Sequence, residues 1–514
     1  MILEHWWQVF RGTASWLSPP FFYPAQGVLG YSEGAFLFAL PYAALRFAGA
    51  GPLVSYQIVL FALVAAGWIG TILFLRRCLR LGVVPTLAGA ALFVFPNSAN
   101  IAAASHTQLF AIHFIPHVAL GIYLFLRDFP KATSGGRVGG MIVAVLLPAI
   151  FYTSHYVGWF SLFFLLLSEA VSGAWARLHW RGSVPERHIL WNRDIWKGVA
   201  PYLALSGVCF VPFVMTYGPA LGQFGARRYS EMVSMLPSPI DYVNVGPTNW
   251  LWGRALCAGR GSRPLAPELV KGLPVGLLLV FLMAWLRCVR KTRPYRVDVA
   301  EDGRFCVLVE GRPINDEGRL ASLSAGLGAA VLLAWLLLLR VHDLSLWWLV
   351  AKAIPGASGI RAAYRFQHVL AFPVAVVVAI ALQQVLNHVR RGGHSPRKRN
   401  LQWAAVVAAC LLLVVEQFNT GGVALYGKQQ QRDLLARIQP PPRQAKVFAL
   451  LPGTEWGRKP LETAIDAMIV AQHYGLYSIN GYSGQWPRGG EGLSDTRKPE
   501  YLSHLVACRH RRVQ

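Results

Sequence analysis

The sequence predicts an α-helical, polytopic membrane protein of about ten transmembrane helices, with a small C-terminal α/β domain outside the membrane. Three observations carry that prediction. The first is composition: 54% of the 514 residues are hydrophobic, 14% are charged and the mean hydropathy is +0.40, which leaves a soluble reading little support. The second is a series of apolar stretches near 52-75, 83-98, 107-126, 138-153, 156-173, 199-216, 272-286, 321-339, 366-388 and 401-418. Several reach the roughly 20 residues that cross a ~30 Å hydrocarbon core, and the shorter ones gain length from flanking Gly, Ser and Tyr. The third is the placement of charge. Alternate connections are basic (Arg76, Arg77 and Arg80; Arg127, Lys131 and Arg137; Arg177 to Lys197; Arg287 to Arg319; Arg390 to Arg399), whereas 96-107 and 152-156 carry no Lys or Arg.

The positive-inside rule puts the basic set in the cytoplasm and both chain ends outside. Met1 to Phe22 is neither a signal peptide nor a span. It has no basic n-region, and Trp6, Trp7 and Phe10 alternate with Glu4, His5 and Arg11 as on an interfacial amphipathic helix. The expectation is therefore that an upstream helix is absent from this chain. The net charge of +25 raises nucleic-acid binding, but the basic residues fall between spans, so topology accounts for them and no nucleic-acid partner is expected. Seven cysteines are scattered without CxxC or Cys/His spacing, and only Cys257 and Cys508 lie on the predicted outer side.

Residues 1-51 read as a first outer loop with interfacial helices, 52-418 as the helical membrane domain and 419-514 as an extracytoplasmic α/β domain. The prolines of SPPFFYPAQG at 18-27 forbid a regular helix and favour an ordered loop. In 341-365, Leu344, Trp347, Trp348 and Val350 suggest a helix in the interface that Pro355 ends. VDVAEDGRFCVLVEGR, with its DG at 302-303, predicts a hairpin on the cytoplasmic side. In the tail, 428-438 and 461-475 have helical periodicity, the second ending at Gly475, and 445-451 reads as a short strand.

Several outer residues could carry chemistry. Glu33 and Glu4 are the acids of the first loop. Glu33 reads either as a residue of a helix N-terminus or as a substrate-facing acid, and Glu4 as solvated surface or a second candidate. His113 and His117 form an i, i+4 pair that could ligate a metal, but no nearby carboxylate or cysteine completes a set, and two buried, hydrogen-bonded histidines are the competing reading. His106 with Gln108, and His155 in TSHY, are polar groups that could contact substrate. Arg227, Arg228, Arg361 and Arg365 suit a phosphate, because arginine grips it bidentately; headgroup contact is the bland alternative. Tyr482 and Trp486, in the turn cluster 480-487, could stack on a sugar or simply pack the turn.

Phe22-Tyr23-Pro24, Tyr31-Ser32-Glu33, Pro52-Leu53 to Tyr56, His106/Gln108/Leu109, Arg361 with Arg365, and NGYSGQWP at 480-487 occur in an order that resembles bacterial membrane proteins related to the GT-C glycosyltransferases. The resemblance implies transfer of a sugar from a polyprenyl-phosphate carrier on the outer face of the bacterial inner membrane. Glu33, or Glu4, would be the catalytic acid, and His106, Gln108, His155, Arg227, Arg228, Arg361, Arg365, Tyr482 and Trp486 the substrate contacts. A hydroxyl is a poor nucleophile until a carboxylate takes its proton, and a phosphodiester leaves well only when its charge is met. No cofactor is expected, with a divalent metal left open. The partners are the carrier-linked sugar and the bilayer. The family's acid usually follows the first span, which is about where this chain begins. The alternatives are a transporter of a lipid-linked sugar or other hydrophobic solute, and a non-catalytic assembly protein of the same fold.

Cysteine labelling in intact cells tests the topology. An engineered thiol near residue 100 or 430 should react with an impermeant reagent and one near 185 or 395 should not; labelling of 185 from outside overturns it.

Overall fold

Each of the ten apolar stretches is helical in the computed structural model, which describes residues 1–102, 106–128, 133–179, 193–257, 267–292, 296–299, 305–309, 312–313, 316–391, 395–420, 428–450 and 460–487. A short helix α1 (Ile2–Phe10) and a second, α2 (Phe36–Phe47), precede the first long one. Then follow α3 (Pro52–Leu73), α4 (Val83–Val94), α5 (Ile115–Asp128, entered through a 3-10 turn from Thr107), α6 (Ser134–Thr153), α7 (His155–His179) and α8 (Arg193–Phe224). The remaining four are α9 (Val275–Lys291), α10 (Asp316–Leu338), α11 (Phe366–Arg391) and α12 (Pro396–Val415). Among the described residues eight helices are long and apolar enough to cross a bilayer. The other two expected spans, α4 and α9, are shorter: α4 belongs to a short apolar helix over Val83–Ala99, and α9 has 17 residues.

The charge alternation agrees with how the helix ends gather. At one end Gly82 N donates to Gln383 at 2.6 Å, Asn387 to Glu317 at 3.3 Å and Arg391 to Glu317 at 2.9 Å, all in or beside the basic connections. At the other end Asn97 meets Asn249 and Asn419, whose amides both donate to its Oδ1, at 3.1 and 3.0 Å. That opposite end also holds Glu33, Ser154, His106 and Arg365.

Close helix contacts rest on small residues, since lipid gives no hydrophobic drive for helices to associate. A Cβ on Gly67 would collide with the His113 ring, and one on Gly70 with the His117 ring. His113 is fully buried with neither ring nitrogen hydrogen-bonded, so packing against the glycine face of α3 places it, and the expected hydrogen bonds are missing. Helix α11 runs through the middle of the bundle, buried almost continuously from Phe366 to Ile380. In contrast α8 and α12 present apolar side chains such as Val208 and Leu411 outward, as a lipid-facing helix does.

Outside the helices the expectations meet mixed outcomes. The hairpin forms as β1 (Arg296–Val299) against β2 (Phe305–Val309), with Val299 opposite Phe305 and a third strand β3 (Arg312–Pro313) beside β2. The interfacial helix of 341-365 is Trp347–Ala353. In the tail the helices are α13 (Lys428–Arg437) and α14 (Pro460–Tyr474), the latter followed by Gly475 at φ +68, the left-handed conformation that suits glycine. Val447–Phe448 pairs in parallel with Tyr477–Ser478. The tail shares its core with the first loop: Phe22 N donates to Asn480 O, Tyr23 N to Ser478 O and Ser478 N to Pro20 O, and Met468 packs with Phe21, Phe22 and Tyr31. Cys508 lies outside the described residues.

Candidate functional site

Glu33 occupies a seat made by the break between α6 and α7. The chain leaves α6 at Thr153, Ser154 is extended, and α7 starts at His155. Thr153 Oγ1 accepts from Leu37 N at 2.9 Å, which fixes the start of α2 against the same break. Glu33 is buried, and its Oε1 accepts from Ser154 Oγ at 2.7 Å and Tyr156 N at 3.4 Å, with His155 Nδ1 at 3.6 Å. The carboxylate therefore faces the N-terminus of α7, where the helix dipole favours an anion, instead of heading α2 as the helix-terminus reading supposed. Its second oxygen, Oε2, is buried with no hydrogen-bond partner. The His155 ring packs beside Tyr217, centroids 5.7 Å apart.

A second cluster adjoins the first. Arg365 sits at the entrance to α11 with its guanidinium over the Tyr156 ring at 4.8 Å, so Tyr156 stands between it and Glu33. The fork of Arg365 is already filled: Nε donates to Glu268 Oε2 at 3.2 Å and an Nη to Oε1 at 2.5 Å. Lys271 Nζ donates to the same carboxylate at 2.9 Å, and His106 Nε2 lies 3.1 Å from both Glu268 Oε1 and Arg365. Burial alone would raise the Glu268 carboxyl; hydrogen bonds from His106 and Arg365 and the Lys271 charge outweigh it and hold it far below the usual carboxylate range. Burial lowers the Lys271 ammonium, and Glu268 opposes that shift. Arg365 and Lys271 against one carboxylate leave one positive charge in surplus.

The other expected contacts divide. Arg227 donates to Glu231 at 3.2 Å and to Gly484 O at 3.0 Å, and Arg361 lies 3.7 Å from the same Glu231 carboxylate, so two arginines share one acid. Arg228 is exposed at the head of a short helix, Tyr229–Val233. Glu4 is not solvated surface: Arg46 holds both its oxygens, at 3.1 and 3.0 Å, and Tyr42 donates to it at 2.5 Å. Burial, then the bond to Glu4, pushes the Tyr42 hydroxyl well above its ordinary range, so it serves as a neutral donor. Trp486 packs against Phe22 with ring centroids 5.2 Å apart in a T-shaped contact, while Tyr482 is exposed.

A cavity of about 860 Å³ opens beside these groups. Glu33, Ser32, Tyr56, Thr107 and Gln108 line one part of it, Glu4, Arg11 and Arg46 another, and α14 closes it with Ile465 and Ile469. Thus Glu33 and Gln108 share a cavity with Glu4, and His106 and Arg365 adjoin it through the neighbouring cluster. Sequence reasoning missed Glu268, Lys271, Ser154 and Tyr156. The signal for the first two was an acid and a lysine three residues apart, in PELVK, just before a helix. Among the described residues no group of three or more His, Cys, Asp or Glu side chains is placed to hold a metal.

No family model and no curated protein matches the sequence. Among solved structures the chain is similar to arabinofuranosyltransferase AftD from mycobacteria, with a TM-score of 0.43 and 13% identity over 81% of this chain and 24% of that one. A mutant of AftD gives a TM-score of 0.43 and 14% identity over 88% and 28%. ArnT from Cupriavidus metallidurans gives a TM-score of 0.29 and 12% identity over 76% and 73%. The chain thus spans about a quarter of the length of AftD.

The Glu268 cluster sets a pH dependence of stability. A carboxyl depressed in the folded state stabilises the fold above its ordinary value of 4.5, and that contribution is lost as pH falls below it. At pH 7 Glu268→Gln should cost about 3–5 kcal/mol, the usual result of leaving buried charge unpaired. The gap between wild type and variant should narrow from pH 5 downward in thermal unfolding of the purified protein. A gap that stays constant to pH 3.5 contradicts the assignment.

Proposed function

We propose that the chain is a membrane glycosyltransferase of the GT-C kind, moving a sugar from a polyprenyl-phosphate carrier to an acceptor hydroxyl with Glu33 as general base. One observation carries the reading above the rest: Glu33 lines a large cavity, one oxygen is held by Ser154 and Tyr156 N, and the other is unpartnered. A carboxylate oriented through one oxygen and free at the other is placed to receive a proton. In the step proposed, the acceptor hydroxyl gives its proton to Oε2, and its oxygen attacks the anomeric carbon. The bond from that carbon to the phosphate oxygen breaks, and the carrier phosphate leaves with the electron pair. The surplus positive charge around Glu268 and around Glu231 would meet the phosphate charge, which revises the expected direct grip by Arg365. The reading places this end of the bundle outside the cytoplasmic membrane, and the basic connections at the opposite end support it.

Glu33→Gln keeps the shape and the Ser154 contact while removing the base. Turnover in membranes supplied with decaprenyl-phosphate-linked hexoses and pentoses should fall on the order of 10²–10⁴-fold. The unfolding temperature should stay at the wild-type value. Turnover within twofold of wild type sinks the assignment.

A further inference from the structure

The cavity that holds Glu33 has a second polar end. Arg11, directly after α1, lines it with its guanidinium over the Trp7 ring at 4.7 Å, and among the described residues its side chain makes no hydrogen bond or ion pair. Arg46 lies over the same ring at 4.2 Å but is engaged by Glu4 and by Ala50 O. Glu4 is engaged in turn by Arg46 and Tyr42. Among the described residues, of the Arg and Glu side chains lining the cavity, Arg11 has no ionic or hydrogen-bond partner, and Glu33 has a buried carboxylate oxygen, Oε2, without one. The lining also includes the apolar side chains Leu53, Leu60, Ile465 and Ile469, beside polar ones such as Gln8, Tyr42 and Gln108.

We propose that the acceptor is an anionic phospholipid whose phosphate meets Arg11 while its headgroup hydroxyl reaches Glu33. The inference rests on the transferase reading above and names the substrate class of that site. Trp6 Nε1 donates to Gly34 O at 2.6 Å, which pins one turn of α1 beside Glu33. Arg11 follows five residues later, about 8 Å along the axis at 1.5 Å per residue. A headgroup that carries a hydroxyl apart from its phosphate can engage both polar ends of the cavity, with its acyl chains against the apolar part of the lining. The carrier's own phosphate is assigned above to the positive charge around Glu268 and Glu231, which leaves Arg11 for a second phosphate. A cation stacked on an aromatic ring keeps its outer face free for a phosphate.

The test is equilibrium binding to the full chain in neutral detergent, with dioctanoyl phosphatidylglycerol, dioctanoyl phosphatidylcholine and decaprenyl phosphate as probes. Phosphatidylglycerol should bind saturably and more tightly than phosphatidylcholine. Arg11→Gln should weaken it about tenfold, Arg11→Lys should restore most of the affinity, and decaprenyl phosphate binding should not change in either variant. Equal binding of the two phospholipids overturns the proposal, as does an Arg11→Gln variant that binds phosphatidylglycerol normally. A loss confined to decaprenyl phosphate also overturns it, by giving the subsite to the carrier. Turnover separates the two readings: if Glu33→Gln retains turnover while Arg11→Gln still weakens phosphatidylglycerol, the base assignment fails and the subsite stands.

Discussion

The end of the bundle that holds Glu33 is organised around one buried carboxylate. Glu268 comes from the loop before α9, Arg365 from the entrance to α11 and His106 from the entrance to α5, with Lys271 three residues beyond Glu268. Three separate parts of the chain are therefore fixed relative to one another by charge-assisted bonds to two oxygen atoms. Removing charges from water is expensive, and the arrangement holds only because each oxygen finds more than one donor. Arg365 in turn lies over Tyr156, whose backbone N–H binds Glu33, so the position of the free acid depends on the ion cluster through a single side chain.

The same end is closed from the other direction by the tail. Asn419, just beyond α12, donates to Asn97 and to Val245 O, and Asn249 donates to Asn97 and to Glu416 O. Trp252 Nε1 and Gly276 N both donate to Glu416 Oε2, at 3.0 and 3.1 Å. Beyond Asn419 the tail folds back on the first loop, and α14 becomes a wall of the cavity. Residues far apart in sequence, Leu53 and Ile465 among them, then form one apolar surface beside the acid.

Much of this was legible in the sequence, for physical reasons that differ by level. Spans were legible because hydrocarbon demands long apolar runs and cytoplasmic loops favour Lys and Arg, and both signals are local. The pairing of β1 with β2 and the helix ending at Gly475 were legible because turn and cap signals are local as well. Glu33, Gln108 and Arg365 could be singled out as polar residues at outer helix ends, but their partners could not. Glu268 and Arg365 are 97 positions apart, and Glu33 and Ser154 are 121 apart. Nothing local encodes those pairings. For the same reason Glu4 looked solvated until α2 supplied Tyr42 and Arg46.

That Glu268 and Arg365 act as a unit is the claim on which the geometry around Glu33 rests, and a double-mutant cycle measures it. Glu268→Gln, Arg365→Met and the double variant are compared in stability by denaturant unfolding in detergent at pH 7. Each single variant should lose about 3–5 kcal/mol. The double variant should lose less than the sum of the singles by more than about 1.5 kcal/mol, since it leaves neither charge facing an absent partner. Losses that add to within about 0.5 kcal/mol would show two independent residues and contradict the account.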